Sequence, residues 1–129
     1  QLNKVKIESI KKDKNKNIIK DKKIGNILIR EQILKDFPPK ELRRIIDQGK
    51  KDIKSGIVIS IATFEDKIGI AVGISHDLTA KYDAVDLVKA AAITLGGKGG
   101  GGRKDFAQAG GVYKDKIDEA FKEISKKIS

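Results

Sequence analysis

The stretch GGKGGGGRKDFAQAGG, residues 96–111, sets six glycines in seven positions, with Lys98 among them and Arg103 and Lys104 directly after. Glycine loses more backbone freedom on folding than any other residue, so such a run is costly unless something must approach the backbone closely. A ribbon without side chains exposes its N–H groups, and the cations beside it neutralise negative charge. That combination suits a phosphate backbone or a ribose surface. Gln108, a few residues on, carries an amide that can pair with a base or ribose edge. Two nucleotide-binding patterns fail here. A Walker A loop needs Ser or Thr after Gly-Lys to hold magnesium, and Lys98 is followed by Gly99. Gly97, Gly99 and Gly102 satisfy G-x-G-x-x-G, but that fingerprint follows a strand and opens a helix, whereas this run follows a helical pattern. A surface linker is the plain alternative, and the anchored character of Phe106 and Ala107 argues against it. The run is expected to be mobile in the free protein, so that side chains at Gly100 and Gly101 cost little stability.

Other chemistry is sparse. His76 is the single histidine and cysteine is absent, so His76 has no partners for a metal or catalytic role and reads as an exposed loop residue. The carboxylates fall on polar helix faces or in turns, not as the isolated apolar pair that general acid–base work requires. No catalytic residue and no metal site is assigned. The charge balance, 28 Lys+Arg against 18 Asp+Glu for a net of +10, favours a polyanionic partner. There is neither an apolar run of the roughly 18 residues needed to span a bilayer nor a signal-peptide pattern. A cytoplasmic protein with no membrane partner is expected.

These residues need a scaffold. A chain of 129 residues is one domain able to fold alone. Residues 1–23 carry nine lysines and three acids. They read as a lysine-rich tail or linker without a packed core, the end of a preceding helix in a longer protein. Residues 24–129 read as the globular part. Ile27–Glu31 is a strand by its alternation. Leu42, Ile45, Ile46, Gly49 and Ile53 recur at helical spacing after Pro38-Pro39, giving a helix over 40–54. Arg43, Arg44, Lys50, Lys51 and Lys54 lie off its apolar stripe. Ile57–Thr63 and Ile68–Ile74, apolar on both faces and joined by a polar turn, form a central antiparallel hairpin. Asp83 caps a helix over 83–95 that Gly96 stops. A third helix, 114–128, aligns Ile117, Ala120, Phe121, Ile124 and Ile128. The fold class is α/β (α+β): one mixed β-sheet with helices packed on it, the glycine-rich loop preceding the C-terminal helix.

In that setting the glycine run resembles a signature near the end of alanyl-tRNA synthetases, Gly-Gly-x-Gly-Gly-Gly-Arg-x-Asp-x-Ala-Gln-x-Gly-Gly. A related motif occurs in the C-terminal domain of DHH-family phosphoesterases. The likeness extends upstream through PPKELRRIIDQGKKDIKSG and the Ser-x-Asp-Leu-Thr turn at Ser75–Thr79, covering about residues 24–111. It implies a non-catalytic module that holds the outer corner of tRNA, tRNA-Ala foremost, to support aminoacylation and editing. By motif match, the contacting residues are Gly97, Lys98, Gly99, Gly100, Gly101, Gly102, Arg103, Lys104, Asp105 and Gln108. The partners implied are tRNA and the other domains of a parent synthetase, with a homodimer allowed by the family. ATP, magnesium and zinc belong to those other domains, and no cofactor is expected here.

Two departures stand out. Gly99 to Gly102 are four glycines where the signature has three, and Lys104 replaces a common proline. The alternative reading is the substrate-binding domain of a DHH-type phosphoesterase acting on short oligonucleotides. The Asp105-Phe106-Ala107-Gln108 run favours the synthetase, since the phosphoesterases place a histidine in or after the glycines.

Overall fold

Isoleucine and valine crowd one face of the two central runs, mostly small residues line the other, and the sheet is built outward from them. The computed structural model describes residues 17–65, 67–97 and 100–128. Six strands lie in the order β1-β2-β3-β4-β6-β5. They are β1 (Asn17–Ile24), β2 (Ile27–Lys35), β3 (Ile57–Phe64), β4 (Lys67–Ile74), β5 (Gly100–Gly102) and β6 (Phe106–Gly111). Among these β2 and β3 pair in parallel and the other neighbours are antiparallel. A parallel pair needs a crossover, and helix α1 (Leu42–Ile53) supplies it. Helices α2 (Ala84–Thr94) and α3 (Ile117–Ile128) follow.

Alternation along the strands separates two cores. Ile57, Ile59, Ile61, Ile68, Ile70, Val72 and Ile74 pack beneath α2 and α3, with Leu87, Val88, Ala91, Phe121 and Ile124. Val58, Ala62 and Ala71 face α1, meeting Leu42 and Ile46. This helix lies close to the sheet: a Cβ on Gly73 would overlap the Ile46 side chain. Asp83 caps α2 as expected, its carboxylate accepting from the Val85 N–H at 2.9 Å. Leu95, Gly96 and Gly97 close the other end. The Gly96 and Gly97 N–H groups return to the Ile93 and Ala92 carbonyls, and Gly96 takes φ +81°.

Two expectations are corrected. Residues 17–23, read as linker, belong to β1, while residues 1–16 of that tail lie outside the described residues. Gly25-Asn26 makes a two-residue hairpin turn that pairs Ile24 with Ile27. Cross-strand ion pairs hold the strand down: Lys22 meets Glu31 at 2.9 Å, and Arg30 joins Asp21 at 2.9 Å to Asp52 of α1 at 3.2 Å. Hydrogen bonding to Asp21 holds the Arg30 guanidinium above its ordinary pKa. The glycine run is the second correction. Gly100–Gly102 is not a free loop but the edge strand β5, paired to β6.

A small polar clasp joins the end of α1 to the end of β4. The Ser55 hydroxyl donates to Asp77 at 2.6 Å, and the Ser75 hydroxyl donates to its other oxygen at 2.5 Å. Ser75 also accepts from the Gly56 N–H at 2.9 Å, while its own N–H bonds the Gly56 carbonyl at 3.0 Å. The hydroxyl of Ser55, then that of Ser75, pulls the Asp77 pKa below its ordinary 3.8. A depressed carboxylate stabilises the fold above its unfolded pKa, and that contribution fades as pH falls through the native value. Asp77→Ala should therefore melt below the parent protein at pH 7. The gap should narrow as pH is lowered past 3.8 and close once both native and unfolded Asp77 bind the proton. Thermal melts across pH 2–7 check this.

Candidate nucleic-acid interface

Where β6 passes beside α1, the sheet edge and the helix form a cleft of about 210 Å³. Its walls are Arg43, Asp47 and Lys50 from α1, Gly101 and Gly102 from β5, Arg103 and Asp105 from the turn, and Phe106 and Gln108 from β6. Strand alternation explains this set. Phe106 and Gln108 pair with Gly73 and Ala71, so they share the α1 face of the sheet. Ala107 points the other way, fully buried in the larger core.

The turn is held at three places by its backbone. The Arg103 N–H donates to the Phe106 carbonyl at 2.6 Å, and the carbonyls of Lys104 and Asp105 accept from Ala84 and Ile74 at 2.9 Å each. The Lys50 ammonium also donates to the Asp105 carbonyl at 3.3 Å. The Arg43 guanidinium stacks over the Phe106 ring, 5.3 Å from its centroid, which orients a cation without neutralising it. Cations from two distant parts of the chain thus converge beside an edge strand whose outward N–H groups carry no side chains between them.

The sequence-derived residues divide accordingly. Gly101, Gly102, Arg103, Asp105 and Gln108 line the cleft together. Lys104 is exposed, but its carbonyl is tied to the start of α2 and its side chain lies outside the cleft lining. Gly97 is packed away from the cleft, against Gly110 and the last turn of α2. Lys98 and Gly99 lie outside the described residues. Arg43, Asp47, Lys50 and Phe106 were not assigned from the sequence. The available signal was that Arg43 and Lys50 lie off the apolar stripe of their helix, which marks a polar face but not its partner. His76 is exposed, as expected. Among the described residues no three His, Cys, Asp or Glu side chains are grouped to hold a metal. Nor is any described helix long and apolar enough to cross a membrane.

Residues 25–129 match the DHHA1 domain family. The chain is similar to the alanine–tRNA ligase of Parvibaculum lavamentivorans, 50% identical over 98 residues, which is 75% of this chain and 11% of that protein. It is similar also to the alanine–tRNA ligase of Hyphomonas neptunium, 51% identical over 85 residues, 66% of this chain and 10% of that one. The chain thus spans about a tenth of the length of the curated relatives it matches. Its fold matches the crystal structure of the C-Ala domain from Aquifex aeolicus alanyl-tRNA synthetase with a TM-score of 0.80 at 31% identity, covering 85% of this chain and 98% of that one. A DHH-domain member of the s1p family of ribosomal proteins matches at TM-score 0.56 and 18% identity, over 95% of this chain and 29% of that one, a likeness of fold alone.

The pairing of β5 makes its glycines unequal. A Cβ on Gly100 would overlap the Gln108 carbonyl and approach the Ala109 Cβ to 2.5 Å, whereas one on Gly101 meets nothing within 4 Å. The expected tolerance therefore survives at one position and not at the other. Gly100→Ala should destabilise by about 1–3 kcal/mol, as overpacking does. Gly101→Ala should stay within roughly 0.5 kcal/mol of the parent, the cost of an exposed substitution. Urea unfolding of the two variants measures the difference.

Proposed function

This chain belongs to the DHHA1 domain family, in company with the C-Ala domain of alanyl-tRNA synthetase, and from that premise we propose that it is the tRNA-binding module of an alanine–tRNA ligase. The observation that supports this is the convergence of Arg43, Lys50 and Arg103 beside the glycine edge strand. The phosphate backbone at the outer corner of tRNA lies along β5, where the absence of side chains permits contact with the strand's N–H groups. The cations neutralise neighbouring phosphates, and the exposed Gln108 amide reaches a ribose or base edge.

Such a module does no chemistry of its own. It raises the effective concentration of the acceptor end near active sites carried by other domains, which use ATP, magnesium and zinc. Phosphate contacts carry no sequence information, so the grip itself treats tRNAs of different sequence alike. Selection of tRNA-Ala then rests with the rest of the parent protein, which acts in the cytoplasm. The phosphoesterase reading has less support: the DHH likeness is one of fold, while the half-identical relatives are alanine–tRNA ligases.

The test is binding of folded tRNA transcripts at several salt concentrations. Arg43→Ala and Arg103→Ala should each weaken binding, to similar degrees for unrelated tRNAs, and each should lower the slope of log affinity against log salt by roughly one unit. A double variant whose affinity and salt slope equal those of the parent would remove the cleft as the tRNA site.

A further inference from the structure

Helix α1 ends in an unusual turn. Lys54 adopts φ 64°, ψ −50°, and the Ser55 N–H donates to the Ile53 carbonyl at 2.6 Å across it. This is a γ-turn of the rarer, strained hand, a conformation that a β-carbon disfavours and glycine takes readily. Strain of this kind persists only where the surroundings enforce it, and it concentrates at functional sites. Here the clasp of Ser55 and Gly56 with Ser75 and Asp77 enforces it.

The same clasp leaves the neighbouring cations unneutralised. Asp77 is occupied by two serine hydroxyls, and among the described residues neither Lys51 nor Lys54 is in an ion pair. Both are exposed. They open onto a hollow of about 400 Å³, bounded by Lys50, Ser75 and His76. Asp47 and Lys50 line both this hollow and the glycine-edge cleft, so the two adjoin along one face of α1. Arg43 and Lys51, eight residues apart, stand roughly 12 Å apart along the axis, a span that a short stretch of phosphate backbone bridges.

We propose that this hollow is a second phosphate-binding site, in which Lys51 and Lys54 hold the RNA backbone beyond the cleft. Retaining lysine rather than glycine in the strained turn is explained by its charge. The proposal rests on the tRNA-binding reading and extends its surface along α1.

Lys54→Gly separates the two roles of the residue. In the 129-residue chain this variant should melt at the same temperature as the parent or higher, because glycine adopts the turn without strain. It should nevertheless bind a tRNA transcript about three- to ten-fold more weakly, with a shallower salt dependence, and Lys51→Ala should do the same. If Arg103→Ala weakens binding while Lys51→Ala and Lys54→Gly match the parent, the hollow is no site and the tRNA reading stands. A Lys54→Gly variant that melts lower would place the lysine in the fold rather than at the ligand and overturn its assignment. A parent chain with no salt-dependent tRNA binding would overturn both proposals.

Discussion

Two of the three backbone hydrogen bonds of the turn Arg103–Asp105 tie it to the core elements, and the interface depends on them. The Lys104 carbonyl accepts from Ala84 and the Asp105 carbonyl from Ile74, each at 2.9 Å. Ala84 opens α2, where the first N–H groups have no partner within the helix, so the turn satisfies a donor that would otherwise need water. Ile74 is the last residue of β4, one of the two strands buried on both faces. The glycine edge is thereby positioned from the most buried part of the protein. Arg103 stands on a turn whose backbone cannot drift without breaking a helix start and a strand end.

The two edges of the sheet are protected differently, and the difference bears on function. An unpaired strand edge invites pairing with another chain unless something blunts it. Strand β1 carries Lys20, Lys22 and Lys23, charges that oppose such pairing. Strand β5 is only three residues long and has no side chains at all. Its shortness limits aggregation, and its bareness leaves the N–H groups reachable. A lysine-lined edge at β5 would bring more charge but would hold a phosphate backbone away from the peptide groups. The arrangement instead keeps the cations on the turn and on α1, to the side of the backbone surface.

Much of the fold was legible where periodicity was strong. The α1 stripe, the β3–β4 hairpin and the apolar face of α3 all follow from spacing alone, since tertiary packing agrees with local pattern there. Strand β1 was missed because five of its eight residues are charged or amide. Its apolar alternation is thin, and its run of lysines reads as a solvated tail. Strand β6 was missed for the opposite reason. FAQAGG has weak strand propensity, and its small residues are there because α2 packs closely upon it, with Leu95 pressed against Gly111. The site was half legible. Arg103 and Gln108 sit next to the glycines in sequence, whereas Arg43 and Lys50 arrive about sixty residues earlier and are brought in by the crossover geometry.

Several local rules are broken along the glycine edge and the neighbouring part of α1. Glycines fill a strand at β5, an arginine sits over Phe106 outside any ion pair among the described residues, and lysine occupies a left-handed turn at Lys54. Each is disfavoured by intrinsic propensity or by charge self-repulsion in a chain of net charge +10. Other cations are paired within the chain, some of them on α1 and in the cleft: Arg44 meets Glu41 at 3.0 Å, and Lys50 lies 4.0 Å from Asp105. Arg30 is shared between Asp21 and Asp52, Lys22 bridges Glu31 and Ser125, and Lys116 and Lys126 pair within their own helix region. Among the described residues Arg43, Lys51, Lys54 and Arg103 are in no ion pair, so the glycine edge and the adjoining part of α1 keep cations that an external polyanion neutralises.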